Sequence, residues 1–292
     1  MAGSAAKAKE AAAELALAEK ALTTTMFKWT KDYAEAEPHF KRAGAAFKTA
    51  GLTSSSTDAY RRAADCSFHL KNYKMAASTL EAAGRDLSLA KGQNDKVEAA
   101  RLFAEAAGFL QEDGETVRAA DLKMRASKQV EAFDKDLAAR FVDECIALFD
   151  GDSDKDVYAV EPLRKALQAH LALGKHASAM RVMDRLWAVW TRLDQKHNLY
   201  KLVLSRVVLL LAAADAVTAQ GEYDRHLDLA GFMSASECAA AEDLLQAYSA
   251  FGCSALGFLS RARRARSRAP PSLLPSTTLP QATWTLRRAQ RR

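Results

Sequence analysis

The sequence predicts an all-α protein, a right-handed α-solenoid of stacked helix hairpins with a helical C-terminal end and a basic tail, and three observations predict it. Up to residue 252 glycine and proline are scarce, and apolar residues recur every three to four positions, the spacing that gathers them on one side of an α-helix. One stripe of alternating small and large residues returns in helix after helix at the same offsets. Turn residues separate the copies at intervals of about 20 or 40 residues.

The first segment, alanine-rich with Lys7, Lys9, Glu10 and Glu14, reads as a helix; it lacks the apolar run and cleavage site of a secretory leader. An apolar loop, Met26-Phe27-Lys28-Trp29, follows. Tyr33, Ala36, Phe40, Ala43 and Phe47 then set the stripe, with offsets of 3, 7, 10 and 14. The same offsets give Tyr73, Ala76, Leu80, Ala83 and Leu87; Ala99, Phe103, Ala106 and Leu110 counted from Lys96; and Ala138, Val142, Cys145 and Phe149 counted from Lys135. A looser copy runs His176, Ala179, Met183, Leu186, Trp190. An alanine at a crossing point lets the neighbouring helix axis come close, while the larger residue a turn away fills the groove beside it. Gly92-Gln93-Asn94, Glu112-Asp113-Gly114 and Asp150-Gly151-Asp152 supply turns. Two helices with their turns occupy about 40 residues, longer than the 34 of a tetratricopeptide unit but of the same type. Each hairpin of such a stack buries its stripe only against its neighbours. An irregular helical bundle is the alternative architecture.

Charge divides the 292-residue chain. Its net charge is +6, yet no Asp or Glu follows Asp243, and nine arginines from Arg261 to Arg292 do. Residues 1–243 therefore hold 33 basic and 36 acidic residues, about −3. Four of the six prolines also fall in the tail, so the expected division is a helical solenoid over residues 1–252 and a disordered Arg/Pro-rich segment over 253–292. The longest apolar run, Val207 to Ala214, is eight residues, too short to span a bilayer. Four cysteines stand tens of residues apart with no CxxC pair, which fits buried reduced thiols in a cytoplasmic protein.

Catalytic chemistry finds no support. The six histidines form no HxxxH or HExxH pair. Gly174-Lys175 has Ala169 where a P-loop needs its first glycine and His176 where it needs Ser or Thr, and neither a nucleophile elbow nor a dinucleotide fingerprint occurs. The expectation is no enzyme, no cofactor and no metal.

The order of these segments carries a resemblance. An N-terminal helix, the loop Met26 to Trp29, Asp32-Tyr33 opening a helix that ends Ala45-Ala46-Phe47-Lys48-Thr49-Ala50, then Ala82-Ala83, Ala106-Ala107-Gly108-Phe109, Ser236-Glu237-Cys238 and Leu244-Leu245-Gln246-Ala247-Tyr248 together resemble the soluble NSF attachment proteins, most closely their gamma form. The likeness spans about residues 8–250. It implies an adaptor whose concave face lies along the zippered SNARE four-helix bundle and whose C-terminal end docks the hexameric ATPase NSF, on the cytoplasmic face of vesicle, Golgi or vacuolar membranes. The bundle is acidic, so the implied grip is basic: Lys123, Arg125, Lys128, Arg164 and Lys165. Lys165 falls where the alpha form has a SNARE-contacting lysine; where that form has its other, this chain has Asp121.

The apolar loop has a physical reading of its own. Met26, Phe27 and Trp29, flanked by Lys28 and Lys31, suit a membrane surface, with rings at headgroup level and lysines on anionic lipid. The alternative is that they cap the first hairpin, Trp29 being the one suited to packing. At the other end the family is acidic, and here Glu237, Glu242 and Asp243 are the carboxylates left to meet the ATPase. The arginine tail departs from the family. It reads as a nucleic-acid arm, a polybasic membrane segment or a disordered segment from an altered splice or mistaken gene boundary, since Lys, Asp and Glu vanish together as in a change of reading frame; the last is preferred and nucleic acid is not an expected partner. A general scaffold binding peptide segments in a tetratricopeptide-like groove is the other functional class considered.

Overall fold

The computed structural model describes residues 2–24, 29–90, 92–150 and 156–251. Among them are twelve α-helices, one short 3-10 turn at Phe232–Ser234 and no strand. They form two compact units, one up to Lys196 and one from His197. The first holds α1 (Ala2–Leu22), α2 (Tyr33–Thr49), α3 (Thr53–His69), α4 (Tyr73–Ser88), α5 (Gln93–Glu112), α6 (Thr116–Val130), α7 (Lys135–Ala147), α8 (Asp156–Leu173) and α9 (His176–Arg192). The second holds α10 (Lys196–Ala212), α11 (Ala216–Arg225) and α12 (Ser236–Phe251).

The stripe is the core of the first unit. In α2, α4, α5, α7 and α9 the residues at offsets 3, 7 and 10 are all buried, from Ala36, Phe40 and Ala43 to Ala179, Met183 and Leu186. A sixth copy, not resolved from the sequence, runs along α8 as Ala159, Leu163, Ala166 and His170, counted from Asp156. Pro162 and His170 obscure it, because both are buried on a side where the other copies are aliphatic or aromatic. Each helix from α1 to α8 packs on its successor, and α6 also meets α8. One buried cluster, rich in alanine, runs from Ala64 on α3 to Leu173 on α8. This is the stacked-hairpin solenoid expected, with close helix approaches set by alanine.

The turns repeat as faithfully as the helices. At Gly51, Lys71, Gly114, Gly174, Asp194 and Ala214 the backbone turns left-handed, with φ between 49° and 79°. Each time the amide of that residue bonds the carbonyl three back, and the next amide bonds the carbonyl five back, as in Asn72 N to Ser67 O at 2.9 Å. That is the Schellman motif, which satisfies carbonyls that a helix end leaves open. The next helix then opens on a side-chain cap in several cases: Asp32, Asn72, Asp134 and Asp215 accept the amide three residues on, at 2.8–3.3 Å. Chain reversal is thus encoded in about three residues, and successive helices within the first unit run antiparallel.

His170 is the polar exception in this core. It is fully buried on α8, with Nε2 3.2 Å from Asp143 Oδ1 of α7. Burial lowers its pKa below the usual 6.5, against the pull of Asp143, and Arg181 of α9 adds to the lowering. The folded protein therefore holds a neutral ring. Below pH about 6.5 the unfolded chain binds the extra proton and the folded chain resists it, so stability present above that pH is lost as pH falls. Unfolding free energies from urea titrations between pH 7.5 and 5.5 are expected to drop for the native protein by at most about 1.4 kcal/mol per pH unit from this group, and His170→Leu is expected to flatten that slope. An unchanged slope in the variant would show that His170 is not the group that titrates.

The three described cysteines, Cys66, Cys145 and Cys238, are buried and unpaired with one another. Burial pushes the thiol of Cys66 up to about 11 and that of Cys145 to about 12, which leaves them protonated and unreactive at neutral pH. No described helix is long and apolar enough to cross a membrane.

Candidate docking surface

Helices of the first unit alternate between two layers, and ion pairs stitch each layer across every second helix. In the even layer Lys48 of α2 meets Asp86 of α4 at 2.6 Å, Arg125 of α6 meets Glu81 of α4 at 2.7 Å, and Lys165 of α8 meets Asp121 of α6 at 3.1 Å. In the odd layer Glu19 of α1 pairs with Arg62 of α3 at 2.7 Å, and Arg61 of α3 bridges Glu98 and Glu105 of α5 at 2.6 and 2.8 Å. The pairs Arg61–Glu105, Glu81–Arg125 and Asp121–Lys165 share one sequence separation, 44 residues.

The two layers carry opposite charge. Among the six central helices, α4, α6 and α8 together hold eight Lys or Arg and five Asp or Glu, a net +3. Helices α3, α5 and α7 hold six and nine, a net −3. All five residues expected to form the basic grip fall on α6 and α8, in the positive layer. Their surroundings differ. Lys123 is only 15% exposed and bonds Glu144 of α7, so it braces the stack. Arg125 and Lys165 are about half exposed, each on a carboxylate of the neighbouring even helix. Arg164 pairs loosely with Glu161 one turn back, at 3.7 Å. Lys128 is exposed, and among the described residues no carboxylate lies within ion-pair distance of it.

Of the carboxylate partners, Asp121 stood out in the sequence only as a departure from the basic pattern, and Glu81, Asp86 and Glu144 did not stand out. For Glu81 and Asp121 the signal was present in the recurrent 44-residue separation of opposite charges, about one hairpin repeat; Asp86 and Glu144 pair at separations of 38 and 21. Asp121, which breaks the expected basic pattern, is the residue that holds Lys165. Exposed pairs of this kind contribute only about 0.2–1 kcal/mol, so they exchange readily for another anionic partner.

Of the expected membrane loop, Met26 and Phe27 lie outside the described residues. Trp29, read as the one suited to packing, is instead 86% exposed. The tail beyond residue 251 also lies outside the described residues. In the second unit Glu237 stands in the first turn of α12, where its own backbone amide, Ser236 and the nearby His197 and Lys201 hold its carboxyl below the usual range. Glu242 accepts from Gln246 at 3.1 Å, and Glu242 and Asp243 are exposed. The α10–α11 junction is held by Arg206 on Glu222 at 2.8 Å. Among the described residues no group of three or more His, Cys, Asp or Glu is placed to hold a metal ion.

Known proteins place this architecture. Residues 6–256 match the family described as soluble NSF attachment protein, SNAP; the match stops short of the arginine-rich tail. A gamma-soluble NSF attachment protein of Dictyostelium discoideum is 27% identical over 230 residues, covering 79% of this chain and 70% of the relative. One of Arabidopsis thaliana is 23% identical over 234 residues, covering 79% of this chain and 78% of the relative. With a hairpin solenoid beneath it and the family match running through both units, the chain belongs to the soluble NSF attachment protein family.

Proposed function

We propose that this chain is an adaptor that binds assembled SNARE four-helix bundles and presents them to an NSF-type hexameric ATPase for disassembly in vesicle-mediated transport and membrane fusion. It contributes no chemistry of its own. The observation that supports this reading is the charge division, +3 on α4, α6 and α8 against −3 on α3, α5 and α7, since an acidic rod is attracted to one layer and repelled by the other.

Lys128, Arg164, Arg125 and Lys165 supply the outward cations, and Lys123 holds α6 on α7 behind them. Several weak contacts suit a clamp that must release after each cycle. The carboxylates Glu237, Glu242 and Asp243 on α12 are the proposed contact for basic surfaces of the ATPase. The adaptor works at the cytoplasmic face of vesicle, Golgi or vacuolar membranes, peripherally attached, with the Met26 to Trp29 loop reaching lipid.

Pulldown on assembled bundles and on their separate helices tests the reading, with preference for the assembled form expected. Capture instead of a short carboxylate-ended peptide would favour a general peptide scaffold. Lys165→Glu is expected to weaken bundle binding by about three- to ten-fold with helicity unchanged, because it reverses one exposed contact and leaves Asp121 facing a like charge. Equal binding by the variant would remove this face from the reading.

A further inference from the structure

A groove of about 460 Å³ runs between α3 and α5 in the negative layer, open to solvent and floored by Leu80 of α4. Its two walls are written in one register. Arg61, Asp65 and Phe68 stand at offsets 0, 4 and 7 on α3, which gathers them on one side of the helix, and Glu105, Phe109 and Glu112 repeat those offsets on α5. The two triplets lie 44 residues apart, the separation already seen in the ion pairs, so they form three rungs across the groove. The first rung is complete: Arg61 forks onto both carboxylate oxygens of Glu105 at 2.8–3.1 Å. The other two are open. Asp65 shares its rung with Phe109, and Glu112 shares its rung with Phe68, so each sets a carboxylate beside an aromatic ring with no cation supplied by the stack.

Among the described residues neither Asp65 nor Glu112 has a basic side chain within ion-pair distance. Burial raises the pKa of the Asp65 carboxyl above its usual value, against the pull of His69, Arg61 and Arg62, and the nearby Glu105 adds to the rise. Phe68 and Phe109 meet at 5.5 Å with their rings tilted by 42°, and Phe68 is left 37% exposed. Gly108 keeps the α5 wall low, since a β-carbon there would meet nothing within 4 Å. A carboxylate beside a ring suits a guanidinium, which donates two parallel N–H bonds to the one and lies flat on the other. An ammonium meets the carboxylate as a point charge and gains less from the ring. We propose that this groove docks a basic segment of a partner protein, whose arginines complete the two open rungs. The site needs only α3, α4 and α5, lies in the layer that does not carry the proposed bundle grip, and stands whether or not the adaptor reading does.

Fluorescence anisotropy of the labelled nonapeptide Gly-Arg-Arg-Leu-Gly-Arg-Arg-Leu-Gly, titrated with the full chain at low ionic strength, tests this. The native chain is expected to bind it, and to bind the version with lysine in place of arginine about five-fold more weakly. Asp65→Asn/Glu112→Gln is expected to lose about ten-fold in affinity for the arginine peptide. Glu131→Gln/Asp228→Asn removes as much negative charge from exposed positions elsewhere and is expected to stay within about two-fold of the native chain. Gly108→Leu grows into the open groove, should not lower the melting temperature because leucine is the better helix former, and is expected to lose about ten-fold in peptide affinity. Equal losses in the two charge variants, or equal affinity for the arginine and lysine peptides, would reduce the attraction to net charge and overturn the proposal. Native affinity in Gly108→Leu, or no binding of the arginine peptide by the native chain, would overturn it as well.

Discussion

Phe40→Ala is expected to lower the unfolding free energy by about 3–5 kcal/mol, toward the upper end of what an aromatic deletion costs. Phe40 is fully buried in a cluster whose other buried members are Ala18, Ala21, Ala36, Ala63 and Cys66. These are among the smallest side chains available, so none extends into the void, and the lost contacts stay lost. The Arg62 guanidinium, 4.4 Å from the ring centre, also loses its cation–π partner. Because a solenoid is stabilised by nearest neighbours, the loss should stay local: hydrogen exchange should speed in α1, α2 and α3 before α5 to α8. A cost under about 1 kcal/mol, or uniform loss of protection, would mean that α1 to α3 are not held by this stripe.

Asp121→Lys should have the largest effect on partner binding, and in the direction of gain. The substitution takes the α4, α6 and α8 layer from +3 to +5 and frees Lys165 from its present carboxylate. Since both members of that pair are about half exposed, the cost in stability is expected to be about 1 kcal/mol or less. Bundle affinity should rise on the order of ten-fold at low salt and return toward the native value near 1 M, where the screening length falls to about 3 Å. An affinity unmoved at low salt would mean that the bundle does not contact this layer.

What the sequence made legible follows from how many residues write each feature. The stripe is written four or five residues deep in five helices, so it stood out, and its positions at offsets 3, 7 and 10 are buried in all five. The copy on α8 was hidden by Pro162 and His170 alone. The ion-pair ladder is written by two residues per rung, far apart in sequence, so it emerges only when charges are compared at the repeat separation. The break between Lys196 and His197 left no mark, because the turn at Asp194 has the same Schellman geometry as the turns at Gly51 and Lys71. Trp29 was misjudged for a physical reason: a large apolar ring in a loop packs only where neighbours leave a groove, and no local pattern reports that.

The adaptor reading is tested most directly by reconstituted disassembly. Assembled SNARE bundle, a hexameric NSF-type ATPase and ATP are mixed with and without this chain, and the loss of intact bundle is followed in time. The account predicts that disassembly requires the chain and slows with Lys165→Glu in step with weakened binding. Bundles that stay intact with the chain bound to them would contradict it.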